Sequence, residues 1–283
     1  MLKELMPNGQ TEGGAKLGRD RGAVLTTGLL IALAALAWVG VIHESMRMQD
    51  SSLMEQEMGM AMSVASSQNM LVEGSAFLLA WGVMMAAMML PSATPMIALY
   101  GTVRWTFSQK GQKAIPTALF ALVYLIAWLV FGVPVYAACI TVDTTADIYP
   151  AIADLLPYAV AVILLGAGAY QFSSLKQVCL RVCQSPLAFL SGHWRNGYVG
   201  TIRMALEHAV YCVGCCWALM IVLVAAGAMA LHWVLLIAAL VFAEKILAHS
   251  EWTARIIGVA LILLGVLVAM QPDLVILLSG QSM

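Results

Sequence analysis

The chain has 283 residues, of which 62% are hydrophobic and 10% charged, with a net charge of −1. A soluble domain carries about 25% charged residues, so an ordinary water-soluble fold is excluded, and the near-neutral balance leaves no basic footprint for nucleic acid. Six cysteines are too few for a secreted disulfide scaffold of this length, whereas nineteen methionines are a marked excess.

Residues 1–22 are Gly-rich, polar and basic, with Lys3, Lys16, Arg19 and Arg21, and are expected to be disordered. A single transmembrane domain is expected over 23–270, followed by a short external tail, 271–283. Seven apolar segments lie in that domain: 23–43, 76–100, 117–140, 153–171, 202–230, 233–248 and 254–270. All but the sixth and seventh approach or exceed the roughly 20 residues that cross a hydrocarbon core. The pattern predicts an all-α, polytopic helix bundle of about seven membrane helices. The first segment is longer than a signal-peptide apolar region and reads as a retained anchor.

The loop 44–70 holds Met54, Met58, Met60 and Met62 among its methionines, together with Asp50, Glu55 and Glu57. Thioether sulfur is a soft donor suited to Cu(I). Spaced four apart, Met54, Met58 and Met62 would serve equally as the apolar stripe of an amphipathic helix.

In the second segment, Met84 pairs with Met88 and Met85 with Met89 at i, i+4, just before Pro91 and Pro95. Each pair stacks on one helical face. Four thioethers within a turn and a half are a candidate metal path; methionines filling space around a proline kink fit the same residues. Between the fourth and fifth segments come Cys179 and Cys183, a Cys-x3-Cys pair read as a soft-metal stop in a cytoplasmic loop, near His193 and Trp194.

The fifth segment is the sharpest. His208, Cys212, Cys215 and Cys216 fall at i, i+4, i+7 and i+8, giving one helical face an imidazole and two or three thiols, with Glu207 as an accessory group. That donor set suits copper, and other soft or borderline transition metals also fit. In the sixth segment, Glu244, a second accessory group, and Lys245 are ionisable groups that by default pair or serve a site, though Lys245 can also snorkel to the interface and Glu244 neutralise Arg203.

Lys and Arg cluster before the first segment, between the second and third, and between the fourth and fifth, which places the N-terminus in the cytoplasm and loop 44–70 outside.

Three stretches carry a family resemblance: the Met-Met-x-x-Met-Met-x-Pro pattern ending at Pro91, residues 170–195 with the Cys pair and His-Trp-Arg, and Cys-x-x-Cys-Cys-Trp from Cys212 to Trp217. Together they resemble a bacterial family of predicted metal-binding integral membrane proteins that carries a copper-chaperone-like label. The resemblance implies copper as the metal and the bacterial inner membrane as the location. The leading reading is a membrane protein that handles Cu(I), for transfer across the bilayer or delivery to a membrane or periplasmic copper enzyme. A membrane metal-dependent oxidoreductase, or a subunit of a membrane oxygenase or oxidase complex, is the alternative. A thiol–disulfide carrier ranks last, because the clustered cysteines lie away from the oxidising face. No nucleotide-binding loop is present for ATP-driven pumping.

Overall fold

The computed structural model describes residues 12–57, 70–107, 117–149, 155–226, 231–247 and 250–272; the side chains of 12–23, 47–57, 70–72, 104–107, 143 and 147 fall outside that description. The described elements are all helices: α1 (Glu12–Glu57), α2 (Met70–Phe107), α3 (Thr117–Ile148), α4 (Leu156–Gln171), α5 (Ser174–Gln184), α6 (Pro186–His193), α7 (Gly197–Ala225), α8 (Leu231–Ile246) and α9 (Ser250–Met270). Five stretches are long and apolar enough to cross a membrane: Val24–Met46, Glu73–Val103, Thr117–Ala146, Gly197–Ala225 and Ser250–Met270.

The two remaining expected segments differ in form. Helix α8 has 16 residues, fewer than a full crossing needs. The fourth segment is a bent pair, α4 and α5, which meet at 64° and make a sixth crossing only if taken together. The bend is written locally. Phe172 and Ser173 close α4 with turns onto Ala169 and Tyr170, and the Ser173 hydroxyl then caps α5 by accepting from the Lys176 amide. Pro186 at the first position of α6 starts the next helix with a preset φ. Gly197, at φ 81°, makes the turn into α7, which an L side chain would strain.

Helix α1 begins at Glu12, so part of the N-terminal segment expected to be disordered is helical, and it continues to Glu57, into the segment read as a loop. Helix growth costs little once a turn exists, and the Ala, Leu, Lys, Met, Glu and Gln of both flanks are good helix formers.

Helix α7 is the hub. It touches α3, α4, α5 and α8, while α1 packs on α2 at the edge. Large side chains on the outer faces, among them Leu29, Leu36, Leu79, Val130, Val162 and Leu263, are exposed. A surface of this kind suits hydrocarbon rather than water. Two close contacts set helix spacing. Trp81 lies against Gly132 and donates its indole N–H to the Trp128 carbonyl, joining α2 to α3. Gly168 and Gly258 let the backbones of α4 and α9 approach directly: a Cβ on Gly168 would stand 2.9 Å from the Gly258 oxygen.

Candidate metal centre

Helix α7 buries His208, Cys212, Cys215 and Cys216 in the middle of the bundle. Cys215 and Cys216 each donate their S–H to the Cys212 carbonyl, at 3.1 and 2.9 Å, so local bonds set both side chains. Helix α5 packs across this face. Its buried side is Lys176, Cys179 and Leu180, with Cys183 a turn further on at the helical interval. The result is a contact that spacing within α7 does not contain: Cys183 Sγ lies 3.9 Å from Cys215 Sγ. With Cys212, these form a group whose sulfurs all lie within 4.8 Å of one another.

Cys183 is therefore not part of a separate stop in a loop. It rides on a helix and belongs with the α7 thiols, because the bend after Gln171 folds α5 back onto α7. Cys179 faces the same helix one turn earlier but lies against Gly214, where a Cβ would meet its sulfur at 2.8 Å, and is outside the group. Cys216 and His208 are also outside it. His208 sits among the rings of Phe120, Tyr124 and Phe189, with centroids 6.1, 5.8 and 5.6 Å away.

Cys212 has two polar neighbours from other helices. The Tyr124 hydroxyl of α3 lies 3.0 Å from its sulfur, and the Lys245 ammonium of α8 donates to it at 3.1 Å. Lys245 does not snorkel. It is buried and also donates to Ser92 Oγ at 3.1 Å and approaches Met89 Sδ at 3.7 Å. Being near the end of α8, which leans on α2 and α7, it finds inward polar partners instead of an interface.

Glu244 takes another direction. Both its oxygens accept from Lys176, at 2.9 and 2.8 Å, in a pair with almost no exposure. Gln184 donates to the Glu244 carbonyl at 2.8 Å, so α5 is fastened to α8 at both of its ends. Arg203, the other partner considered for Glu244, instead pairs with Glu207 at 3.2 Å, and Arg195 approaches the same carboxylate at 3.7 Å. Glu207 thus turns to the arginines at the start of α7.

Met84, Met85, Met88 and Met89 of α2 are all buried. Met89 reaches the lysine of the thiol cluster, whereas Met84 lines a groove with Gly40, Val41, Ala76 and Val234. Met58, Met60 and Met62 lie outside the described residues, as does the side chain of Met54.

A model of the copper-chaperone family PpoB2 matches residues 78–268, well over half of the chain. The chain belongs to that family. No curated protein and no solved structure matches it.

The donor set fits the cargo that the family label names. Thiolate bonds of roughly 2.3 Å (the zinc–thiolate value) would hold three sulfurs around one ion about 4.0 Å apart in a trigonal plane. The Cys183–Cys215 separation already matches, and all-sulfur ligation is a soft environment of the kind that takes Cu(I), as it does zinc. What this chain offers is a group of thiols from two helices, with one cation and one hydroxyl on the same sulfur.

Sequence reasoning missed Tyr124, and for Lys245 it left inward pairing and the interface both open. A tyrosine in an apolar run gives no signal of its partner. The Lys176, Cys179, Leu180, Cys183 spacing of i, i+3, i+4 and i+7 does carry a signal, that of a helix with one buried side.

Proposed function

We propose that this chain is a multi-pass protein of the bacterial inner membrane that holds Cu(I) at Cys183, Cys212 and Cys215 and hands it to a membrane or periplasmic copper enzyme. The observation that carries the reading is the meeting of sulfurs from α5 and α7 at 3.9 Å within a group of three. Two of these sulfurs come from residues 32 apart in sequence, brought together by the docking of α5 on α7. The family membership supports copper as the ion. The one-sided Lys and Arg distribution supports a cytoplasmic N-terminus, with the 44–70 methionines and the 271–283 tail outside. On this reading the external thioethers collect the ion and the thiols retain it.

The test is copper analysis of the detergent-purified full chain after loading with Cu(I) under a competing chelator. Ser at any of positions 183, 212 and 215 removes a soft donor and is expected to weaken retention at least about tenfold, as even outer-shell changes at metal sites do. Cys179→Ser, outside the group, is the matched control and is expected to keep its copper. Equal copper in Cys183→Ser and the unaltered protein would defeat the assignment.

A further inference from the structure

Helix α7 carries soft or borderline donors at every fourth residue on either side of the thiol group: Met204, His208, Cys212, Cys216 and Met220, all buried. Residues four apart are neighbours one turn up the helix surface, so each donor hands over to the next within about 6 Å of axial rise. The row winds gradually around α7, which is covered by other helices on most sides.

Within this row His208 stands out. Its ring is 3% exposed, and its Nδ1 has no hydrogen-bond partner among the described residues. An unmatched buried polar atom costs about 1–3 kcal/mol, and native structures seldom keep one without a use. Of the three rings beside it, Phe120 and Phe189 have no polar atom, and the Tyr124 hydroxyl is engaged with the Cys212 sulfur at 3.0 Å. His208 is not among the converging thiols. Its neighbour one turn toward the start of α7 is Met204, whose thioether is fully buried.

We propose that His208 and Met204 form a second Cu(I) station, one turn from the thiol site on the side of the α7 N-terminus. An imidazole nitrogen and a thioether are neutral donors of the kind Cu(I) accepts, and they bind less tightly than thiolates. Such a pair receives or releases the ion that the thiols hold. The station rests on the copper reading of the thiol site, and the two are separable by ligand type.

The full chain in detergent is loaded anaerobically with Cu(I) under a competing chelator, and metal content is read together with copper X-ray absorption, which separates nitrogen from sulfur ligands. The unaltered protein is expected to bind all-sulfur copper and a further, weaker equivalent with a nitrogen ligand. His208→Phe, which suits the aromatic surroundings, is expected to lose the weaker equivalent alone. Met204→Leu nearly conserves volume and is expected to weaken that equivalent at least about tenfold without loss of fold. With Ser at 183, 212 and 215 together, the nitrogen-containing copper is expected to remain. Loss of all copper in either the His or the triple-Ser variant would mean one mixed site and overturn the station. Unchanged copper in both His208→Phe and Met204→Leu would leave the ring nitrogen to a buried water, and overturn it too. Failure of the copper reading shows separately, as absence of all-sulfur copper in the unaltered chain.

Discussion

The ammonium of Lys245 points at the sulfur of Cys212 from 3.1 Å, inside the bundle and between helices that are distant in sequence. A Cu(I) ion held by three thiolates is an anionic centre, and burying such a centre is costly without a cation beside it. On the copper reading, Lys245 is placed to be that cation. It holds its place through Ser92 as well, so it need not move far when the sulfur turns to a metal.

Lys245→Met keeps the length of the side chain and removes its charge. At an effective dielectric of about 20, unit charges about 4 Å apart interact by roughly 4 kcal/mol, and about 1.4 kcal/mol is already tenfold in affinity. Cu(I) retention is therefore expected to weaken by about tenfold or more in chelator competition. The metal-free melting temperature is expected to hold, since without a metal the Cys212 thiol can keep its proton and leaves no unpaired charge behind. Undiminished retention would show that Lys245 has no part in offsetting the bound ion.

Glu244→Gln leaves the Lys176 ammonium buried without its counter-charge. Breaking one member of such a pair costs about 3–5 kcal/mol. Because the same pair fastens α5, the variant is expected to lose copper together with stability. Lys176→Met combined with Glu244→Met is expected to recover most of the melting temperature. Thermal unfolding and copper per chain, measured on all three proteins, decide it; a single variant as stable as the parent contradicts the strut.

Gly168→Ala and Gly258→Ala test the α4–α9 seam. The added Cβ at 168 would sit 3.0 Å from the Ile262 amide nitrogen as well as near the Gly258 oxygen, so backbone rather than a flexible side chain has to yield. Overpacking of this kind costs about 1–3 kcal/mol. Gly166, where a Cβ meets nothing within 4 Å, is the control and is expected to tolerate Ala. Equal thermal stability of the 166 and 168 variants would mean that the seam is looser than its geometry.

The helical nature of the chain and the face of α7 that carries His208 and the cysteines were legible from spacing alone. His208, Cys212, Cys215 and Cys216 share a helix, and a helix converts sequence interval into direction. Cys183 was legible as a soft donor but not as a partner of Cys215, since that contact depends on the bend at Phe172 and Ser173 and on the docking of α5. For Lys245 and Glu244 the residues left two courses open, inward pairing or, respectively, the interface and Arg203; the packing of α8 against α2, α5 and α7 decides for Cys212 and Lys176. Of the seven apolar segments, five are long enough to cross as single helices among the described residues, and two form helices of 16 residues, because hydropathy reports apolar content rather than helix length.

The docking of α5 onto α7 also bears on how the protein is made. Cys183 is synthesised before Cys212 and Cys215, and it emerges with no thiol neighbour except Cys179. Its partners enter with α7, and the three sulfurs converge only when the earlier helix has folded back across the later one. An ion offered to the nascent chain meets isolated thiols, while the finished bundle presents a preformed trio. On the copper reading, a complete three-thiol site exists only once α7 has entered and α5 has docked on it, so copper occupancy would report a finished bundle.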